Sequence, residues 1–135
     1  MHVSDLMTPN PKTVAPEESL GDVVARMARF KIRELPVVEN GDLIGIITDR
    51  DVKMALGPDA RRLDIDAIDP RQLDGSVEWF MTNSAHTIEA SATAAEAVAA
   101  VLELRVHALP VVDDGQLVGI LSVTDLLKAA EPLFR

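Results

Sequence analysis

The side chains with chemistry to offer are few, and they come in matched pairs. A hydroxyl followed three residues later by a carboxylate occurs at Thr48 and Asp51, and again at Ser122 and Asp125. At a helix start the hydroxyl caps a backbone N–H, and the macrodipole favours an Asp in the first turn. An ionised carboxylate also has two oxygens with which to accept hydrogen bonds. Arg33 and Arg50 flank the first Asp, whereas His107 and Thr124 hold the matching places around the second. Arginines so placed either stay solvated or meet an anion. His107 lies between apolar residues and reads as a packed or edge histidine.

Nothing near these groups resembles an activated nucleophile. The chain has no cysteine, which removes thiolate catalysis, zinc–thiolate sites, iron–sulfur clusters and disulfides together. His2 and His86 have no partner at metal-ligand spacing. Gly-x-Ser-x-Gly, P-loop and dinucleotide-binding glycine patterns are all missing. The expectation is a protein that is not an enzyme, holds no metal and requires no cofactor.

The elements that carry these residues occur twice. ELPVVENGDLIG, from Glu34 to Gly45, returns as ALPVVDDGQLVG, from Ala108 to Gly119, 74 residues later. At the same offset Met7-Thr8 falls on Met81-Thr82, Thr13-Val14 on Thr87-Ile88, and Asp51 on Asp125, with no gap. In the first copy Ser19 caps a helix whose apolar face is Leu20, Val23, Val24, Met27 and Phe30. In the second, Thr93 and Glu96 form a capping box before Ala97, Val98, Val101 and Leu104. Short strands follow at Leu35–Val38 and Leu109–Val112. Asn40-Gly41 and Asp114-Gly115 predict type I′ hairpins, which need positive φ at both central residues. The return strands, Leu43–Thr48 and Leu117–Ser122, are apolar nearly throughout, as in strands covered on both faces. Short helices close each copy at about 50–56 and 124–130. Gly45 and Gly119 permit close backbone packing.

One copy is too small for a stable core, so the two are expected to pack as a single α+β body. Residues 1–56 form the first repeat, 57–76 a connecting segment and 77–135 the second repeat. The connector is too polar and too rich in Pro and Gly for a core element, with a helical turn expected around Ile65 to Ile68. Trp79, the only tryptophan, reads as core or subunit-interface packing.

Composition narrows the function classes. Of 135 residues, 47% are hydrophobic and 26% charged, typical of a globular domain. Thirteen basic against 22 acidic residues leave a net charge of −9, which disfavours nucleic acid and anionic membranes. The first residues, MHVSDLMTPNPK, lack the apolar run of a signal peptide, and the longest apolar run, Ala97 to Leu102, is too short to span a bilayer. A cytoplasmic location is expected.

The repeated Leu-Pro-Val-Val before a glycine turn carries a resemblance, together with Gly45-Ile-Ile-Thr-Asp-Arg-Asp51 and Gly119-Ile-Leu-Ser-Val-Thr-Asp125. The chain resembles a tandem pair of CBS (cystathionine β-synthase) domains, a Bateman module, over nearly its whole length. That resemblance implies two repeats packed pseudo-symmetrically through their strands, with two clefts for adenosine-containing ligands. Its Asp would accept both hydroxyls of a ribose, and the neighbouring hydroxyl and free N–H groups of the helix start would face a phosphate. Carried over by position, one site combines Thr13, Val14 and Ile32 with His107, Ser122, Thr124 and Asp125. The other combines Thr87, Ile88 and Val106 with Arg33, Thr48, Arg50 and Asp51, and its arginines suit the more highly charged phosphate.

The resemblance therefore implies a regulatory sensor whose repeats shift their packing when an adenosine nucleotide binds. AMP or ATP is the expected ligand; ADP, S-adenosylmethionine, NAD(H) and cyclic dinucleotides offer the same adenosine. With no room for an attached enzyme in these residues, the output falls to a separate protein partner. The resemblance also implies a homodimer, two modules joined face to face through the amphipathic helices. A structural dimerisation module with vestigial clefts is the alternative.

Overall fold

The computed structural model describes residues 1–57, 70–83 and 86–135. The elements run α1 (Val3–Leu6), β1 (Thr8–Pro9), α2 (Leu20–Phe30), β2 (Glu34–Glu39), β3 (Asp42–Thr48) and α3 (Asp49–Leu56). They continue with β4 (Thr82–Asn83), β5 (Ile88–Glu89), α4 (Ala94–Leu104), β6 (Ala108–Asp113), β7 (Gln116–Ser122) and α5 (Val123–Ala130). Single 3-10 turns lie at Pro70–Asp74, Val77–Trp79 and Glu131–Phe134. The helical turn expected around Ile65 to Ile68 falls outside the described residues.

Both predicted hairpins form as expected. Asn40 and Gly41 have φ of 52° and 85°, and Asp114 and Gly115 have 52° and 77°. Such a turn matches the strand twist and fixes the register. In each hairpin the return strand carries one extra residue. Val37 faces Gly45 while Val38 faces Leu43, leaving Ile44 unpaired; Val118 is its counterpart in the second. Ile46 and Ile47 point to opposite faces of β3, yet both are buried, so that strand is covered on both sides.

Helix α2 begins in a complete capping box: Ser19 Oγ accepts the Asp22 N–H at 3.1 Å, and Asp22 Oδ2 accepts the Ser19 N–H at 3.0 Å. The box expected at α4 is only half formed. Thr93 Oγ1 accepts the Glu96 N–H at 3.1 Å, but the longer Glu96 side chain stays exposed and returns no bond. Leu20, Val23, Val24 and Met27 are buried on α2, and Ala97 and Val101 on α4. The expected apolar faces are narrower than their sequence pattern. Phe30 lies exposed, with Lys12 Nζ 4.6 Å and the Arg29 guanidinium 5.2 Å from its ring centroid. Val98 is also exposed.

The chain forms two compact units that cut across the sequence repeats: Lys12–Ser84, and Met1–Pro11 together with Ala85–Arg135. In the first unit β2, β3 and β4 run antiparallel in that order, and Val14 bridges Val37 in parallel. In the second the order is β1, β7, β6, β5, with β5 parallel to β6. Each unit thus borrows an edge from the segment that leads into the other repeat. Matching bonds hold the borrowed segments. The Val77 N–H donates to the Glu18 carbonyl and the Glu78 N–H to that of Pro16, at 2.8 and 3.0 Å. Seventy-four residues apart in each case, Val3 donates to Ala92 and Ser4 to Ala90, also at 2.8 and 3.0 Å.

Each core is completed by its borrowed segment. Val77 joins Leu20, Val23, Leu35, Val37, Ile47 and Val52 in one, and Val3 joins Ile88, Ala97, Leu109, Val111 and Leu121 in the other. The end of the connector touches the first core without becoming a core element. Leu73 packs half-buried against the first core, and the Gly75 carbonyl accepts the Leu20 N–H at 2.9 Å. Trp79 is 77% exposed, which overturns its core reading; the one-turn helix around it buries only Val77.

Candidate functional site

The residues carried over by position fall into two equivalent groups, one in each unit. Thr13, Val14, Ile32, Arg33, Thr48, Arg50 and Asp51 belong to Lys12–Ser84. Thr87, Ile88, Val106, His107, Ser122, Thr124 and Asp125 belong to the other unit. Each expected cleft draws part of its lining from either group, so neither unit holds a complete expected set.

Within each group the hydroxyl and carboxylate share a capping box. Thr48 Oγ1 accepts the Asp51 N–H at 3.2 Å, and Asp51 Oδ2 accepts the Thr48 N–H at 3.0 Å. Ser122 and Asp125 repeat this at 3.0 and 2.9 Å. Capping consumes one carboxylate oxygen. The other, Oδ1 of Asp51 and of Asp125, has no hydrogen-bond partner among the described residues. Both carboxylates are half-buried and open to an incoming donor.

The helix start offers a phosphate less than its sequence suggested. The Asp49 N–H donates to the Arg33 carbonyl at 2.8 Å, and the Val123 N–H to the His107 carbonyl at 2.8 Å. With Asp51 and Asp125 bound to their caps, only Arg50 and Thr124 keep a first-turn N–H without a protein acceptor among the described residues. The anion capacity rests instead on side chains. Arg33 and Arg50 are both exposed. His107 is exposed as well, which of its packed and edge readings leaves the edge one: its backbone carbonyl is tied to the start of α5.

The lead-in residues sit against the sheets as their apolar character requires. Val14 is buried, its N–H donating to the Pro36 carbonyl at 3.0 Å and its carbonyl accepting the Val38 N–H at 2.9 Å. Ile88 is buried opposite Val111. Ile32 and Val106 are half-buried, and Thr13 and Thr87 are exposed.

One ion pair beside the first group is invisible to spacing rules. Arg26 on α2 forks onto Glu18, Nη1 reaching Oε2 at 2.8 Å and Nη2 bonding Oε1. The guanidinium holds the Glu18 carboxyl below the usual range, and the carboxylate raises the Arg26 pKa in return. A carboxyl with a depressed folded pKa stabilises the fold above its unfolded pKa, and that contribution fades as pH falls through the folded value. Glu18→Gln is therefore expected to cost about 0.5–1 kcal/mol at pH 7. The difference from wild type should narrow as pH falls below the ordinary carboxylate range and the depressed native carboxyl protonates. Urea melts of both proteins from pH 7 downward measure it, and a gap that does not narrow at all as the pH falls rules out the ion pair as its cause.

Among the described residues no group of three or more His, Asp or Glu side chains is placed to hold a metal ion. No helix among them is long and apolar enough to cross a membrane.

Comparison with known proteins decides the family. The CBS domain pattern matches residues 3–58 and again 75–132. This chain belongs to the CBS-domain family. Its α+β fold is that of a CBS pair, two repeats in tandem. The CBS domain-containing protein YhcV of Bacillus subtilis is 30% identical over 124 residues, covering 92% of this chain and 81% of that protein. The inosine-5′-monophosphate dehydrogenase of Methanocaldococcus jannaschii is 35% identical over 118 residues. That match takes in 86% of this chain but only 21% of the dehydrogenase. Among solved structures, CBSX2 in complex with AMP superposes with a TM-score of 0.79 at 32% identity, covering 99% of this chain and 98% of that one. CBSX2 is a CBS-pair protein of Arabidopsis thaliana.

Proposed function

We propose that this CBS pair is a regulatory module that binds an adenosine nucleotide, AMP or ATP, and performs no catalysis of its own. The observation that carries the reading is the divided use of Asp51 and Asp125. Each spends one carboxylate oxygen on its helix cap and leaves the other as a charged acceptor beside the capping hydroxyl. A ribose diol fits such an acceptor, and the half-buried Ile32 and Val106 offer apolar surface to a purine. The AMP held by CBSX2, a relative matching 99% of this chain, supports the choice of ligand. ADP, S-adenosylmethionine and NAD(H) present the same sugar. The exposed Arg33 and Arg50 suit a polyphosphate better than their counterparts His107 and Thr124.

The signal in this reading is a change in packing of the repeats, passed to a separate protein in the cytoplasm. We assign a homodimer to the same scheme. Val98, Leu102 and Leu127 expose apolar side chains on α4 and α5, whereas their counterparts on the first repeat are the buried Val24, the small Ala28 and the charged Lys53.

A thermal-shift panel tests the function. A nucleotide at 100 times its Kd should stabilise the fold by about 2.7 kcal/mol, a shift of several degrees. The shift should shrink in Asp51→Ala or in Asp125→Ala. A folded dimer that no adenosine ligand stabilises would instead be a structural module with vestigial clefts.

A further inference from the structure

We propose that Glu18 and Arg26 are positioning residues for the ligand group containing Thr13 and Val14, and that the equivalent group at Thr87 and Ile88 is anchored without them. The inference rests on the nucleotide reading above and adds a difference between its two groups. Besides forking onto Glu18, Arg26 Nη1 donates to the Thr13 carbonyl at 3.2 Å. Glu18 Oε2 in turn accepts the Ala15 N–H at 2.8 Å. The pair therefore grips the backbone on both sides of Val14, whose own N–H and carbonyl go to Pro36 and Val38.

The second repeat shows what the clamp replaces. At the matching offset Glu18 and Arg26 become Ala92 and Ala100, so no such pair can form. There the ladder runs one step further, the Ala90 N–H donating to the Val112 carbonyl at 2.9 Å. The counterpart of Ala90 is Pro16, which has no N–H to give. Where proline ends the backbone ladder, two charged side chains hold the segment. One group is thus held by a longer main-chain ladder, and the other by a shorter ladder and an ion pair.

A site that is ordered only a fraction of the time binds more weakly by that fraction. If Arg26→Ala leaves the segment in place about a tenth of the time, the Kd of the binding event it serves rises about tenfold. The experiment is calorimetric titration of AMP into wild type, Arg26→Ala, Glu18→Gln and Arg26→Lys at a temperature where all are folded. It is paired with amide exchange on the same proteins without nucleotide. One binding event should weaken in Arg26→Ala and Glu18→Gln, partly recover in Arg26→Lys, and leave a second event untouched. The Val14 and Val38 amides should exchange faster in the first two variants, with Ala90 unchanged. AMP binding that Arg26→Ala leaves intact, or two events weakened equally, overturns the clamp alone. A wild type that binds no AMP overturns the nucleotide reading, and unchanged exchange at Val14 then disposes of the clamp as well.

Discussion

Gly45→Ala should be the most damaging single methyl group in this protein, costing about 2–3 kcal/mol. A Cβ at Gly45 would sit 2.5 Å from the Thr82 carbonyl oxygen and 3.1 Å from Met81 Sδ. The nearer atom belongs to the backbone of β4, which cannot move aside without breaking its pairing of Gly45 with Asn83 and Ile46 with Thr82. The restricted unfolded chain of the alanine variant returns only about 0.4–1 kcal/mol. Gly119→Ala should cost less. There the closest atom, at 2.5 Å, is the Sδ of Met7, the end of a flexible side chain, although the Thr8 carbonyl oxygen follows at 2.9 Å. Gly41→Ala supplies the control. It meets nothing within 4 Å but has a φ of 85°, so its cost is backbone strain alone, about 1 kcal/mol. Urea melts of the three variants should rank Gly45 below Gly119 in stability. A Gly45→Ala protein as stable as wild type would mean that β4 is not held where it lies.

These glycines also mark where the sequence stops being legible. The hairpins could be read because a two-residue turn is local, and Asn40-Gly41 and Asp114-Gly115 determine both its shape and its register. The extra residues at Ile44 and Val118 could not, since apolar residues continue through them and only the partner strand reveals the slip. The offset linked Met7-Thr8 to Met81-Thr82 without disclosing that each lies on the other repeat's hairpin. Two-residue strands have no periodicity, and their partners are distant in the chain. Residues 70–76 looked like a polar connector because they contribute one leucine and a backbone carbonyl rather than an apolar run. The same limit applied at the site. Asp51, Asp125 and their hydroxyl partners stood out by type and spacing. The carbonyls of Arg33 and His107 that occupy the helix-start N–H groups have no sequence signature at all. Glu18 and Arg26 carry no such signal, because one precedes the helix and the other sits two turns along it, outside the i, i+4 spacing that flags an ion pair.

Asp51→Asn is expected to separate ligand binding from helix capping. The cap needs one acceptor oxygen facing the Thr48 N–H, now 3.0 Å from Oδ2, and the Asn carbonyl can supply it. Stability should therefore fall by less than the ~1 kcal/mol of a lost cap. The second position, which in Asp51 is the unpartnered Oδ1, becomes an NH2 group that cannot accept. A ribose hydroxyl donating there loses a bond to a charged group, about 1.5–3 kcal/mol, or roughly ten- to a hundredfold in Kd. Asp22→Asn makes the matching change in the capping box of Ser19, where no ligand group stands. The two variants should melt alike, yet only Asp51→Asn should lose affinity in an AMP titration. Asp125→Asn extends the comparison to the other unit, whose carboxylate is divided between cap and solvent in the same way. If all three variants bind AMP as wild type does, the carboxylates are helix caps and nothing more.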